Sequence, residues 1–164
     1  MPEVYVAAGS NVLPRANLRR ALGLMRDTWP DLRVSSAYAN EAVGFEGEDF
    51  INLVAGFGTD QPLVQVLERL HEIEAACGRP RNAPKWAPRS MDLDVLLYGD
   101  AVGEYPGAVL PRPDLLRRPY MLGPLAEIAP GLLHPTQGRT IAELWQAFDS
   151  EGHDMHPVAL EDAD

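Results

Sequence analysis

The order of strand-like and helix-like patterns constrains the fold of this chain more than any other feature of its sequence. Apolar residues recur with helical spacing in two stretches, and short β-favouring or alternating stretches surround them. The predicted elements are, in chain order, a strand over 4–8, a helix over 14–29, strands over 32–38 and 49–57, a helix over 62–77 and a strand over 91–98. In this β-α-β-β-α-β order, two helices cover one face of an antiparallel sheet and the other face is left for ligands and accessory segments.

We therefore expect an α+β protein with a ferredoxin-like βαββαβ core and an antiparallel sheet, followed by C-terminal short helices. The short helices are predicted near 113–117, 121–128 and 139–148. A length of 164 residues suits one domain, and we expect that domain to span 1–148. The tail over 149–164 carries six acidic residues and no lysine or arginine, so we expect it to be loosely held.

Charge and hydropathy bound the partners of the protein. The chain has 24 acidic and 14 basic residues and a formal net charge of −10. Nucleic-acid-binding proteins usually present a broad basic face, so we expect no nucleic-acid partner. No stretch approaches the ~18 apolar residues of a membrane helix, and the first residues lack a signal-peptide pattern, so we expect no membrane partner and a cytoplasmic location.

Asp92 and Asp94 place two carboxylates on one face of the strand predicted over 91–98. Their Cα atoms are about 7 Å apart by strand rise, close enough to share hard cations through oxygen ligands. The alternative is a solvated strand edge whose charges discourage strand pairing. The arginine-rich segment directly before the pair favours a metal–polyphosphate site, because Mg²⁺ takes one or two carboxylates together with phosphate oxygens.

The segment over 78–89 combines cations with prolines and a tryptophan. Its cations are Arg79, Arg81, Lys85 and Arg89, and they surround Trp86. It is either a solvated loop or a hinged strip that folds over bound phosphates and excludes water. A second basic cluster, Arg112, Arg117 and Arg118, could also supply local positive charge for a small anion.

Phe50 and Asn52 lie on one face of the strand predicted over 49–57. Asn52 is either exposed or bonded to backbone, or else it binds the amide-like edge of a flat heterocycle that stacks on Phe50. Gly9-Ser10-Asn11 lacks the spacing of a phosphate-binding loop, so we expect a turn there. His134, His153 and His156 lack metal-site spacing and are expected to be surface or core residues.

Six segments together match the pattern of one enzyme family. They are Val6–Asn11, Ser35–Tyr38, Asp49–Asn52, Ile73–Arg79, Trp86–Asp94 and Arg118–Pro130. The most specific are W-x-P-R-x-x-D-L-D at 86–94 and R-x-Y-M-L-x-P-L-x-E-I-A-P at 118–130. Through these motifs, over roughly residues 3 to 145, the chain resembles the 6-hydroxymethyl-7,8-dihydropterin pyrophosphokinases of the folate pathway.

The resemblance implies a ferredoxin-like core and transfer of the pyrophosphoryl group of ATP to the pterin hydroxymethyl oxygen, with release of AMP. It implies two Mg²⁺ ions held by Asp92 and Asp94, with Asp92 also at the pterin. Separately from the resemblance, we expect a monomer. The other implied roles are phosphate binding and catalysis by Arg79 and Arg89, pterin binding by Phe50, Asn52 and Tyr120, and ATP binding by His71, Glu74, Arg81, Trp86, Arg112 and Arg118.

This sequence departs from the family pattern at three places. Asn40–Gly44 replaces a Thr-x-Pro-like motif, His71 stands where glutamine is usual, and Arg112 stands where a phosphate-contacting histidine is typical. Arginine can still bind phosphate, with different geometry. The departures motivate an alternative function: a paralogue that binds pterin or nucleotide but uses another acceptor or does not turn over.

A third hypothesis is a ferredoxin-like module that reads nucleic acid. RNA-binding sheets of this kind present paired strand aromatics and a basic surface. Neither feature is found in this acidic sequence, which counts against the hypothesis.

Overall fold

The computed structural model describes residues 1–40, 50–78, 91–148 and 155–164. The helices in these ranges are α1 (Pro14–Thr28), α2 (Leu63–Ala76), α3 (Pro119–Ile128) and α4 (Ile141–Ala147), with a 3₁₀ turn over Pro113–Leu116. The strands are β1 (Glu3–Ser10), β2 (Arg33–Val34), β3 (Ala37–Asn40), β4 (Phe50–Gly58), β5 (Asp92–Tyr98), β6 (Gly103–Tyr105), β7 (Ala108–Leu110) and β8 (His156–Val158). None of these helices is both long and apolar enough to cross a membrane.

The main sheet has the spatial order β5-β1-β4-β3-β8, and β2 also pairs with β4. All strand pairs in the described ranges are antiparallel. The predicted βαββαβ core is thereby confirmed. Because β1 lies between β4 and β5, its Gly9 is opposite Asn52 on one side and Asp92 on the other. The register thus places one predicted site residue on each side of Gly9.

Helices cover both faces of the sheet, and alternation along β1 shows why. Val4 and Val6 belong to the core under α1 and α2, whereas Tyr5 and Ala7 belong to the core under α3 and α4. Successive strand residues point to opposite faces, so an apolar run in a central strand is buried twice. The C-terminal helices α3 and α4 cover the second face, where the sequence analysis expects accessory segments.

Three details differ from the sequence expectations. The strand predicted over 32–38 is two strands, because Ser35 bonds Val54 through both its backbone N–H (2.9 Å) and its hydroxyl (2.9 Å) and interrupts the ladder. The turn predicted at 9–11 is wrong in its start, since β1 continues to Ser10 with full pairing to β4. The β6–β7 hairpin was not predicted, and Gly107 turns it with φ of +89°.

The described part of the acidic tail, over 155–164, contacts β3 and the start of α1. Its strand β8 pairs with β3, and the Asp164 carboxylate accepts hydrogen bonds from the backbone N–H groups of Arg15 (2.7 Å) and Ala16 (2.9 Å). These N–H groups lie in the first turn of α1, where Leu13 supplies no side-chain cap. A carboxylate from the far end of the chain satisfies donors that local sequence leaves unpaired.

Gly123→Ala should destabilise the protein, because a Cβ at this position in α3 would come within 2.9 Å of the Trp145 ring of α4. We expect a loss of about 1–2 kcal/mol in the free energy of unfolding. Gly23→Ala in α1 is the matched control, since nothing lies within 4 Å of its Cβ. It should raise stability by about 0.5–1 kcal/mol through helix propensity. Urea denaturation measures both, and equal effects would contradict the packing account.

His134 should make stability fall as pH falls. It is 3% exposed, its Nδ1 accepts from the Thr136 N–H at 3.2 Å, and burial lowers its pKa below 6.5. Because the unfolded state then binds a proton more readily than the folded state, stability is full above the unfolded pKa and declines as pH drops below it. His134→Gln should flatten this dependence in urea melts at pH 7.5 and 5.5. The exposed His156→Gln control should not, and an unchanged slope in His134→Gln would refute the prediction.

Candidate active site

Two adjoining cavities meet at β5, at one edge of the sheet, and share Asp92, Asp94 and Arg112. The α2 cavity, of about 350 Å³, is further lined by Leu67, His71, Glu74 and Ala108. The α3 cavity, of about 280 Å³, is further lined by Gly9, Asn40, Phe50, Asn52, Arg118 and Tyr120. The structure therefore brings together all of the predicted site residues that lie in the described ranges.

The two aspartates project from the same face of β5. Leu93 and Val95, which alternate with them, are 5% and 3% exposed in the core under α1 and α2. Asp92 and Asp94 are only partly buried, on the α3 side of the sheet. Their partners on β1 are Gly9 and Ala7, which are too small to fill the space in front of the carboxylates. The predicted pair of carboxylates on one strand face is present.

Glu74 connects α2 to the strand that carries both aspartates. It is 9% exposed, and its Oε2 accepts a hydrogen bond of 2.8 Å from the backbone N–H of Leu93. That N–H lies between Asp92 and Asp94 in sequence, so Glu74 fixes the backbone that orients them. His71, one helical turn earlier, is exposed and lines the same cavity. Of the two predicted nucleotide residues on α2, Glu74 thus also has a positioning contact.

Arg112 stands between two acids. Its Nη1 is 3.7 Å from Asp94 Oδ1, and its Nε is 3.7 Å from Asp114 Oδ2. Its backbone is tied to β5, because its N–H donates to the Leu96 carbonyl at 3.0 Å. The guanidinium therefore borders both cavities from a fixed backbone position.

The α3 cavity contains the three residues predicted to hold a flat ring. Phe50 and Asn52 come from β4, and Tyr120 comes from the first turn of α3, which begins with Pro119 at its N1 position. The Asn52 side chain is 9% exposed, and among the described residues its Nδ2 donates to Asn40 Oδ1 and it bonds no backbone group. This side-chain bond orients its amide. Asn40 lines the same cavity, and the sequence analysis named it only as the start of a departure from the family pattern, without a role in the site.

Gly9 allows this arrangement and was also missed as a site residue. A Cβ on Gly9 would lie 2.5 Å from Asn52 Oδ1, so only glycine lets that amide lie across β1. The sequence signal was a glycine after a short β-favouring run, which also fits a turn. Only the strand register separates the two interpretations.

Tyr120 and Arg118 flank the same cavity. Burial raises the pKa of the Tyr120 phenol, and the positive charge of Arg118 partly offsets this. The phenol is therefore protonated at neutral pH and can donate a hydrogen bond. Arg118 lines the α3 cavity and is not among the residues lining the α2 cavity that holds His71 and Glu74.

Several predicted residues lie outside the described ranges. Arg79, Arg81, Trp86 and Arg89 fall within 79–90, and most of the Asn40–Gly44 segment falls within 41–49. Their roles stay predictions from the sequence.

The carboxylate pair fits a Mg²⁺ site that is completed by phosphate oxygens and waters better than it fits a metal site made only of protein ligands. Among the residues that the structure describes, no cluster of three or more His, Cys, Asp or Glu side chains could hold a metal ion. Two half-buried carboxylates beside open cavities supply oxygen donors and leave most of the coordination shell to other ligands. Mg²⁺ is commonly bound in this way, by one or two carboxylates together with phosphate oxygens and waters.

Sequence comparisons identify relatives across the chain. The family model described as 7,8-dihydro-6-hydroxymethylpterin-pyrophosphokinase (HPPK) matches residues 5–130. A 2-amino-4-hydroxy-6-hydroxymethyldihydropteridine pyrophosphokinase of Pseudomonas aeruginosa is 36% identical over 161 residues, covering 95% of this chain and 98% of the relative. A Synechocystis protein of the same name is 38% identical over 127 residues, covering 77% of this chain and 64% of its own.

Solved structures share the fold at low identity. An HPPK-DHPS crystallised with substrates has a TM-score of 0.64 and 12% identity, covering 89% of this chain and 43% of its own. The wild-type HPPK-DHPS of Plasmodium falciparum has a TM-score of 0.63 and 12% identity, covering 89% of this chain and 44% of its own. This chain thus spans less than half of those proteins, and the likeness confirms the ferredoxin-like fold.

Proposed function

Because this chain belongs to the 7,8-dihydro-6-hydroxymethylpterin-pyrophosphokinase family, we propose that it transfers the pyrophosphoryl group of ATP to the hydroxymethyl oxygen of 6-hydroxymethyl-7,8-dihydropterin. The products are AMP and the pterin diphosphate, in the folate pathway. The observation that carries this function is the junction at β5, where the carboxylate pair opens onto both cavities. An acceptor in one cavity and a nucleotide in the other would meet at Asp92 and Asp94.

The pterin occupies the α3 cavity in this proposal. Phe50 and Tyr120 provide aromatic faces for a flat ring, and Asn52 provides an amide whose donor and acceptor suit the ring edge. Asn40 supports the proposal because it fixes the Asn52 amide in one orientation. Asp92 lines the same cavity and, in this proposal, accepts a hydrogen bond from the pterin ring or from its hydroxymethyl group.

In this proposal ATP occupies the α2 cavity, and Asp92 and Asp94 would hold two Mg²⁺ ions together with its phosphates. When bound, Mg²⁺ neutralises charge on the transferring phosphates and makes deprotonation of the acceptor hydroxyl easier. His71 and Glu74 lie on the nucleotide side, and Arg112, which borders both cavities, supplies fixed positive charge to the phosphates. Arg118 lines only the α3 cavity among the described residues, and its role at the phosphates is proposed from the sequence alone. From the sequence, we propose that Arg79, Arg81, Trp86 and Arg89 complete the phosphate site and exclude water.

Product analysis tests the proposed reaction directly. Protein, ATP, Mg²⁺ and 6-hydroxymethyl-7,8-dihydropterin should yield AMP and pterin diphosphate in equal amounts, and EDTA should abolish both. ADP as the nucleotide product would contradict pyrophosphoryl transfer. Pterin binding in calorimetry without any AMP formation would instead support the alternative, a paralogue that binds pterin without catalysing the reaction.

Three further expectations have no structural test and stay predictions. They are a monomeric state, a cytoplasmic location, and a catalytic domain that spans residues 1–148. Light scattering on the purified full chain measures the first.

A further inference from the structure

Arg112 keeps its charge close to acids without forming short hydrogen bonds to them. Its distances to Asp94 and Asp114 are both 3.7 Å, beyond a normal hydrogen bond. Its Nε is buried and has no hydrogen-bond partner among the described residues. A buried donor without a partner is costly, so this guanidinium has bonding capacity that a ligand oxygen could use.

The position of Arg112 lets it serve two partners. Its backbone N–H is bonded to Leu96, and its carbonyl accepts from the Leu115 N–H at 3.1 Å, so the main chain is held on both sides. Its side chain is 32% exposed and borders both the α2 and the α3 cavity. The guanidinium can therefore reorient between Asp94 and a ligand at the junction while its backbone stays in place.

Charge then opposes binding of metal alone. The Arg112 guanidinium, which never loses its proton, lies 3.7 Å from the Asp94 carboxylate, so a divalent cation bound by that carboxylate would be close to a like charge in a partly buried site. Like charges held close together in such a site repel each other. Phosphate oxygens reverse the balance, because they offer Arg112 an anionic partner with bidentate geometry. Metal and phosphate should consequently favour each other's binding.

We propose that Arg112 couples metal binding to nucleotide binding, by neutralising Asp94 while phosphates are absent and turning to the phosphates when they bind. This inference rests on the proposed function for its ligands. The coupling is reciprocal: the factor by which phosphates improve metal affinity equals the factor by which metal improves nucleotide affinity. Arg112 thus links the affinity of the site for metal to its affinity for nucleotide.

Arg112→Gln tests the proposal because it should move two affinities in opposite directions. Mn²⁺ binding without nucleotide, measured by electron paramagnetic resonance, should become at least about threefold tighter as repulsion at Asp94 is removed. Binding of a non-hydrolysable ATP analogue is measured by calorimetry in EDTA and again with saturating Mn²⁺. With saturating Mn²⁺, the Arg112→Gln protein should bind the analogue at least about tenfold more weakly than the wild-type protein. The ratio of the two analogue affinities should fall.

Two further variants separate charge from shape and from general damage. Arg112→Lys keeps the charge, so Mn²⁺ affinity should stay at the wild-type value while the analogue binds more weakly. Arg20→Gln makes the same charge change at an exposed site on α1, outside the residues lining either cavity, and should alter neither affinity by more than about twofold.

Weaker or unchanged Mn²⁺ binding in a folded Arg112→Gln protein would overturn the proposal, as would Mn²⁺ binding to neither protein. A partly unfolded variant would lose affinity for both ligands. A higher affinity for Mn²⁺ together with a lower affinity for the nucleotide is therefore specific to the coupling role. The Mn²⁺ measurement needs neither pterin nor turnover. An enzyme that forms AMP but shows no Mn²⁺ effect refutes only the coupling, whereas the Mn²⁺ effect without AMP refutes only the proposed reaction.

Discussion

Asp94→Asn should lower kcat/KM by at least about 100-fold, corresponding to ~2.7 kcal/mol of transition-state stabilisation. The substitution keeps the size of the side chain and removes the negative charge that a divalent cation needs. Folding should change by less than about 1 kcal/mol, because the Asp94 side chain is 24% exposed on a strand face opposite the core under α1 and α2.

Steady-state AMP formation and urea melts together measure this separation of activity from stability. Asp100→Asn is the matched control, since Asp100 is an exposed acid in the turn that follows β5. It should leave both quantities unchanged. An Asp94→Asn protein that unfolds easily but keeps its specific activity would reverse the interpretation and make Asp94 a structural residue.

Gly9→Ala should weaken pterin binding by at least about tenfold, or ~1.4 kcal/mol. The added Cβ would lie 2.5 Å from Asn52 Oδ1 and must push that amide out of the orientation that Asn40 gives it. A misplaced amide loses hydrogen bonds to the ring edge, while the aromatic faces of Phe50 and Tyr120 are retained.

Pterin titration followed by fluorescence measures the change, with Mn²⁺ binding as the internal comparison. Mn²⁺ affinity should be close to that of the wild-type protein, because Asp92 and Asp94 keep their strand. Gly131→Ala serves as the control, since nothing lies within 4 Å of its Cβ. Unchanged pterin affinity in Gly9→Ala would place the ring away from Asn52.

The core elements could be predicted because their signals are local. Apolar spacing in α1 and α2 and alternation in β5 each lie within one element, and all three appear where the sequence places them. The same alternation put Asp92 and Asp94 on one face before any contact was known. Family motifs then supplied roles for residues such as Phe50 and Tyr120 that spacing alone left open.

Features that depend on distant contacts could not be predicted. Strand β8 forms only because β3 offers it an edge, and Asp164 is fixed only because the first turn of α1 offers unpaired N–H groups. Gly9 and Asn40 join the site through strand register and one side-chain bond, neither of which leaves a pattern in a single sequence. The 3.7 Å contacts of Arg112 are of the same kind.

A crystal of the full chain with Mn²⁺, a non-hydrolysable ATP analogue and the pterin tests the central claim most directly. Anomalous density should place manganese on the Asp92 and Asp94 carboxylates, with the pterin ring between Phe50 and Tyr120 and the phosphates on the α2 side. Manganese located elsewhere, or a pterin bound away from the two aspartates, would contradict the account.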